Sequence, residues 1–130
     1  MVLFDTPILI DMLHGTVSSE RFLRLRARGE VPVTTALNAA EIFHGINPID
    51  HEHARLLFGG VRVVPVGLED AERASLWRND FAVRGIALTL VDCMIAAVAV
   101  NLNIRLATTT PELFPMEGID IEVWSADKLA

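Results

Sequence analysis

The sequence contains a single cysteine, Cys93, and this scarcity excludes two common ways of holding a small protein together. One thiol cannot form an intrachain disulfide, and it cannot supply a zinc site built from several cysteines. Cys93 also lies in an apolar run without the His and Asn arrangement that nucleophilic catalysis needs. A reducing, cytoplasmic compartment fits these observations.

Long hydrophobic runs are also missing. The longest apolar run, residues 88–102, falls short of the roughly 20 residues that span a bilayer, and it carries Asp92. The first residues lack the basic stretch of a signal peptide, and Asp5 interrupts the apolar segment that such a peptide requires. We therefore expect a cytoplasmic protein without a membrane segment and interpret 88–102 as a buried helix.

Positive charge is scarce as well, with 11 Lys and Arg against 17 Asp and Glu and a net charge of −6. Such a chain does not bind nucleic acid by bulk attraction to phosphates, so a nucleic-acid function would need metal ions or a local basic patch. Arg21, Arg24 and Arg28 fall on one face of a predicted helix and form a candidate patch. A solvated helix face explains the same pattern.

Linkers, repeats and low-complexity segments are absent, so 130 residues with 52% hydrophobic composition predict one domain spanning 1–130. Short apolar segments alternate with helical patterns in the order β-α-α-β-α-α-β-α-α-β-α-β. The predicted strands cover 2–4, 31–34, 61–64, 105–108 and 119–124, and Thr6 and Asp50 are predicted to cap helices. Strands separated by helices predict a parallel sheet covered by helices on both faces.

Polar residues follow the predicted strands where each strand ends. Asp5 comes directly after the first strand, Thr35 begins the helix after the second, and residues 108–110 lie at the end of the fourth. In open parallel sheets, ligands bind in the crevice beyond the carboxyl ends of the strands. We therefore expect these residues to surround one crevice.

Two further acids, Glu41 and Asp92, lie in otherwise apolar helical sequence. A buried carboxylate is costly unless it is protonated or paired, and one divalent cation would remove that cost for several carboxylates together. Asp5, Glu41 and Asp92 are therefore the candidate metal ligands. The simpler alternative is that Asp5 and Asp92 are separate helix caps and that Glu41 is partly solvated.

The candidate ligands are oxygen atoms, and the sequence has no Cys₂His₂ or His-Glu-x-x-His pattern. This favours a hard ion, Mg²⁺ or Mn²⁺, which can activate water and stabilise charge during phosphodiester hydrolysis. The run of His and acid at 50–53 is interpreted as the acidic start of a helix instead of a metal site. His44 is interpreted as a partly buried neighbour of Glu41, and Asp11 as secondary because it points away from Asp5.

Four segments together resemble one known family. They are VLFDTPILID at 2–11, TTALNAAEIFHG at 34–45, LVDCMIAAVA at 90–99 and LATTTPELF at 106–114. The first three resemble the motifs that carry the acidic residues of PIN-domain ribonucleases, with Asp5, Glu41 and Asp92 at the acidic positions. In order and spacing the sequence is similar to the VapC-type toxins of VapBC toxin–antitoxin pairs.

The resemblance implies a three-layer α/β/α sandwich with a central, mainly parallel sheet. It also implies an endoribonuclease that depends on Mg²⁺ or Mn²⁺, cleaves cellular RNA such as tRNA, forms a homodimer and is neutralised by a VapB-type antitoxin. The fourth segment departs from the family, which usually has Asp or Asn where Thr110 stands. Thr110 is still a candidate catalytic residue, because its hydroxyl can hold a metal-bound water. The departure supports a second hypothesis, a catalytically weakened PIN-like module that binds RNA or protein.

Overall fold

The computed structural model describes residues 1–15 and 17–124. Within these ranges the chain forms five strands, whose bounds are β1 Val2–Phe4, β2 Pro32–Thr35, β3 Arg62–Val64, β4 Arg105–Thr108 and β5 Ile121–Val123. The same ranges contain six α-helices: α1 Thr6–His14, α2 Val17–Ala27, α3 Ala36–Gly45, α4 His51–Gly59, α5 Leu68–Val83 and α6 Leu90–Leu102. Short 3₁₀ turns cover Pro48–Asp50 and Pro111–Leu113. The predicted alternation of strands and helices is confirmed.

All neighbouring strands pair in parallel, in the order β3-β2-β1-β4-β5. The central strand β1 aligns Leu3 with Val33 of β2 and with Leu106 of β4. Parallel pairing requires a crossover between successive strands. The α-helices supply these crossovers as far as β4, and the segment that contains the 3₁₀ turn Pro111–Leu113 connects β4 to β5. The parallel sheet that the strand and helix pattern predicts is confirmed, and it is fully parallel where the family resemblance implied a mainly parallel one.

The two faces of the sheet bury different halves of the apolar sequence, because side chains alternate along a strand. Leu3 of β1 packs with α5 and α6 in one hydrophobic core. Its neighbours Val2 and Phe4 pack with α1, α2, α3 and α4 in the other. Trp124 closes this second core, with its ring 5.2 Å from that of Phe4 in an edge-on arrangement. The predicted three-layer α/β/α sandwich is confirmed.

The apolar sequence of helix α6 and the residues at its two ends account for its burial and its bounds. Cys93 and residues 95–99 are all buried against α5 and the sheet, so the helix is apolar around most of its circumference. Thr89 caps its start by accepting a hydrogen bond from the Asp92 N–H at 3.1 Å. Asn103 ends it in the left-handed conformation, at a φ of 55° that Asn tolerates better than most residues. No helix in the described part of the chain combines the length and hydropathy that crossing a bilayer requires.

Two predicted caps are wrong. Asp5, not Thr6, is the N-cap of α1, because its Oδ1 accepts a hydrogen bond from the Thr6 N–H at 2.9 Å. Asp50 belongs to a 3₁₀ turn that leads into α4, and its side chain makes no capping hydrogen bond. There the chain is already helical before α4 begins, so the backbone does not present the free N–H groups that a side-chain cap would satisfy.

Candidate functional site

Asp5 lies at the carboxyl end of β1 and is 5% exposed. The chain reaches it directly from a strand buried on both faces, so the carboxylate is placed at the sheet edge with little side-chain freedom. One oxygen caps α1, and the other, Oδ2, accepts a hydrogen bond from the Thr108 hydroxyl at 2.9 Å. The capping and functional interpretations of Asp5 are therefore compatible, because each uses a different oxygen.

Burial raises the pKa of Asp5 above its ordinary value of 3.8. The hydrogen bonds from Thr108 and from the Thr6 N–H lower it, and the negative charges of Asp92 and Glu41 raise it further. The net result is a raised pKa, which means that the folded protein disfavours the charged form of Asp5. A carboxylate held in this state, with two other acids acting on it, is a candidate ligand for a cation.

Thr108 ends β4, beside the end of β1, and it links Asp5 to the following loop. Its hydroxyl donates to Asp5 and accepts a hydrogen bond from the Thr110 N–H at 3.1 Å. The Thr110 hydroxyl lies 3.3 Å from the same oxygen. The structure thus brings the predicted residue Thr110 to the edge occupied by Asp5, with Thr108 between them.

Glu41 reaches this edge from α3. Its Oε1 accepts a hydrogen bond from the Thr6 hydroxyl at 2.8 Å, and Thr6 directly follows Asp5 in the chain. The apolar neighbours of Glu41 in the sequence predicted that its carboxylate is buried. That expectation is wrong, because Glu41 is exposed. Its neighbour Ile42 takes the buried position on α3 instead.

Asp92 lies in the first turn of α6 and is half-buried. Its backbone N–H takes part in the helix cap, whereas its charge is among the causes that raise the pKa of Asp5. The same charge, after burial, helps to raise the pKa of the neighbouring Cys93 thiol. Asp92 is therefore near Asp5 although α6 belongs to the opposite layer from α1 and α3.

Asp92 and Glu41 each act electrostatically on Asp5, but the three acids do not form a closed cage. Within residues 1–15 and 17–124, no group of three His, Cys, Asp or Glu side chains is arranged to hold a metal ion. The available donors are nevertheless carboxylate and hydroxyl oxygens, contributed by Asp5, Glu41, Asp92, Thr108 and Thr110. This donor set fits Mg²⁺ or Mn²⁺, which prefer oxygen, and it lacks the sulfur and nitrogen that zinc prefers.

Two residues of this edge were not identified as site residues from the sequence. Asn38 is fully buried, and its Nδ2 donates to the Thr6 hydroxyl at 2.9 Å. Thr108 was placed near the crevice without a role. The signal for Asn38 is its spacing, because it lies three residues after Thr35 as in a capping box and three before Glu41 on the same helix face.

The remaining sequence features belong to structure elsewhere. His51 contacts the Phe43 carbonyl through Nε2 at 3.2 Å. Asp11 accepts a hydrogen bond from the Ser18 hydroxyl. In the arginine stripe, Arg24 and Arg28 are exposed, but Arg21 lies over the Trp124 ring at 4.1 Å. Arg21 is therefore a packing residue rather than part of a purely solvated face.

A groove of about 540 Å³ lies at the opposite edge of the sheet, where β2 and β3 begin. Glu30, one of its lining residues, is paired with Arg105 at 2.8 Å and with the Met1 amine at 3.3 Å. These partners lower the pKa of Glu30, the reverse of the shift at Asp5. The groove therefore favours the charged form of its carboxylate, Glu30, whereas the carboxyl edge of the sheet disfavours the charged form of Asp5.

The fold and site together define an α/β protein with an acidic centre at the carboxyl edge of a parallel sheet. Residues 2–113 match the PIN domain family, and this chain belongs to it. The predicted resemblance to that family is confirmed.

Individual relatives agree with this assignment. The chain is 29% identical over 117 residues to the ribonuclease VapC10 of Mycobacterium tuberculosis, covering 89% of this chain and 87% of that protein. Its fold is similar to VapBC2 from Rickettsia felis, solved bound to a promoter DNA fragment, with a TM-score of 0.82, 16% identity and coverage of 96% and 100%. It is also similar to VapBC-1 from nontypeable Haemophilus influenzae, with a TM-score of 0.79, 22% identity and coverage of 95% and 98%.

Proposed function

We propose that this protein is an endoribonuclease that hydrolyses phosphodiester bonds of cellular RNA and depends on Mg²⁺ or Mn²⁺. The observation that carries the proposal is the buried carboxylate of Asp5, whose pKa is raised by burial and by the charges of Asp92 and Glu41. In a PIN-domain protein that resembles a VapC ribonuclease, such an edge is best explained as a cation site for RNA hydrolysis.

In this proposal Asp5, Glu41 and Asp92 hold the ion. When bound, the ion supplies an activated water and stabilises the negative charge that develops on the phosphate. The protein's own contribution is orientation: Thr108 holds Asp5 Oδ2, and Thr6 holds Glu41 Oε1. Thr110 offers a hydroxyl beside Thr108 that can orient a water molecule or an RNA oxygen.

The experiment is cleavage of an RNA panel that includes tRNA, with Mg²⁺, with Mn²⁺ and with EDTA. We expect cleavage that EDTA abolishes and that Asp92→Asn reduces more than about 100-fold, beyond the loss typical of groups outside the metal's direct ligands. Asp50→Asn is the matched control, because Asp50 lies outside this edge and its side chain makes no capping hydrogen bond. Metal-independent RNA binding without cleavage would instead favour the second hypothesis, a catalytically weakened binding module, which the uncharged Thr110 supports.

Thr110 also yields a prediction about metal affinity. Thr110→Asp is expected to tighten binding of Mn²⁺, because it adds a charged oxygen ligand next to Thr108 and Asp5. Calorimetric titration of both forms measures the change, with Thr109→Asp as a control for added charge in the same loop. Unchanged or weaker binding in a folded Thr110→Asp protein would remove Thr110 from the site.

We further propose that the protein is a cytoplasmic toxin, homodimeric, and bound by a VapB-type antitoxin. The similarity of its fold to proteins solved as VapBC assemblies supports this partner. The carboxylates at the edge repel one another without a cation, and an inserted Arg can pair with two carboxylates at once. We therefore expect the antitoxin to place a basic side chain among Asp5, Glu41 and Asp92.

This partner prediction is tested with a VapB-type antitoxin that inhibits the protein, to be sought in the neighbouring open reading frame. Replacing the basic residues of its toxin-binding segment one at a time should weaken inhibition at one position, and high Mg²⁺ should compete with the intact antitoxin. If inhibition persists after all of them are replaced, a steric block or disruption of the dimer is the better account.

A further inference from the structure

Asn38 is a fully buried polar residue in α3, one helical turn before Glu41. A buried amide is expected to use both of its ends in hydrogen bonds, since leaving one unpaired is costly. Asn38 meets this requirement through groups from β2 and α1, not through its own helix alone. Its side chain therefore connects three elements that meet at the acidic edge.

The direction of these hydrogen bonds is determined by a backbone group. The Thr35 N–H, which can only donate, lies 3.2 Å from Asn38 Oδ1. The oxygen of the amide must therefore face Thr35, and the nitrogen Nδ2 must face the Thr6 hydroxyl at 2.9 Å. The Thr35 hydroxyl, 2.7 Å from Asn38 Oδ1, donates to the same oxygen.

The direction of the Thr6 hydroxyl follows. Because it accepts from Asn38 Nδ2, its single hydrogen is available to donate to Glu41 Oε1 at 2.8 Å. A chain of hydrogen bonds therefore leads from the Thr35 backbone N–H through Asn38 and Thr6 to the carboxylate of Glu41, and each group donates to the next. An ionised carboxylate is the matching terminus, since it only accepts hydrogen bonds.

Thr6 donates hydrogen bonds to the carboxylates of both Asp5 and Glu41. Its backbone N–H donates to Asp5 Oδ1 at 2.9 Å, and its hydroxyl donates to Glu41 Oε1. Glu41 is exposed and has a long side chain whose conformational freedom is lost when it binds an ion. Holding one of its oxygens beforehand reduces that loss and leaves the second oxygen for a ligand.

We propose that Asn38 is a positioning residue of this centre: by setting the direction of the Thr6 hydroxyl, it holds Glu41 in place for cation binding. This inference rests on the proposed metal-dependent function. Asn38 does not contact the ion or the RNA, and its effect passes entirely through Thr6 and Glu41. The effect of removing Asn38 should therefore vanish when Glu41 is absent.

The test measures Mn²⁺ binding by calorimetry, which needs no RNA and no activity. Asn38→Ala and Thr6→Val are each expected to weaken binding about tenfold, as changes around a metal's direct ligands commonly do. Thr6→Ser should bind like the wild type because it keeps the hydroxyl, and Asn79→Ala on the exposed side of α5 is the matched control. Thr6→Val carries the test if Asn38→Ala does not fold.

Adding Asn38→Ala or Thr6→Val to Glu41→Ala should cause no further loss of Mn²⁺ affinity. The proposal is overturned if folded Asn38→Ala and Thr6→Val bind Mn²⁺ as the wild type does, or if they weaken it equally without Glu41. If wild-type protein binds no Mn²⁺, or Glu41→Ala binds it unchanged, the proposed metal function has failed. In that event a double-mutant cycle of unfolding in EDTA decides: coupling between Asn38→Ala and Glu41→Ala supports the positioning role, and additivity excludes it.

Discussion

Asp5→Asn is expected to abolish RNA cleavage and, at neutral pH without divalent metal, to make the fold more stable. The activity falls because the variant loses the charge at the centre of the acidic edge. The stability rises because burial and two neighbouring acids disfavour the charged form of Asp5. We expect a gain of about 1 kcal/mol in the free energy of unfolding, a size common when an unfavourable functional residue is replaced.

The pH dependence of this gain has a definite sign. The pKa of Asp5 is raised in the folded state, so the protonated form stabilises the fold below the ordinary value of 3.8. That stability is lost as pH rises through the raised pKa. The wild type and Asp5→Asn should therefore be equally stable in acid and diverge towards neutral pH.

Denaturant unfolding in EDTA between acid and neutral pH measures this divergence, and cleavage assays on the same preparations measure activity. Asp50→Asn should change neither quantity appreciably. A folded Asp5→Asn variant that still cleaves RNA at the wild-type rate would remove Asp5 from the site. A variant that is less stable than the wild type at neutral pH would show that the Thr108 hydrogen bond to the carboxylate outweighs its burial.

Divalent metal is expected to stabilise the wild type strongly. A ligand that binds only the folded state at 100 times its Kd adds about 2.7 kcal/mol to the free energy of unfolding. At this site Mg²⁺ or Mn²⁺ would neutralise the repulsion among Asp5, Glu41 and Asp92, so the advantage of Asp5→Asn over the wild type should shrink or reverse in metal. Thermal unfolding across a metal titration at constant ionic strength measures the effect.

The variant Asp92→Asn distinguishes stabilisation by bound metal from the stability change expected for Asp5→Asn. Asp92 is half-buried and its side chain caps no helix, so the variant should fold with near wild-type stability in EDTA. It should nevertheless lose most of the stabilisation by metal, because it removes one of the three proposed ligands. If Asp92→Asn and the wild type gain equal stability from Mg²⁺ and from Mn²⁺, Asp92 does not bind the ion.

Much of the fold was predictable from local sequence. The β1 residues Val2, Leu3 and Phe4 form a short apolar run that ends at Asp5, and the apolar run ending at Leu102 is too long for a strand and too short for a membrane span. Such patterns are local because alternation and helical period are properties of a few consecutive residues. The carboxyl-edge rule then predicted that Asp5, Thr35 and Thr110 lie near one another, since parallel strands end at the same side.

What the sequence alone determined, then, was the order of elements, the parallel sheet and the candidate acids. Only the tertiary structure decided the burial and direction of individual side chains. Glu41 is exposed where its apolar neighbours predicted burial, because the contact of α3 with α1 turns Ile42 inward instead. Asn38 gains its role only when α3 brings it within 2.9 Å of Thr6, 32 residues earlier in the chain. Hydrogen bonds between distant residues depend on how helices pack, and no local period in the sequence encodes that packing.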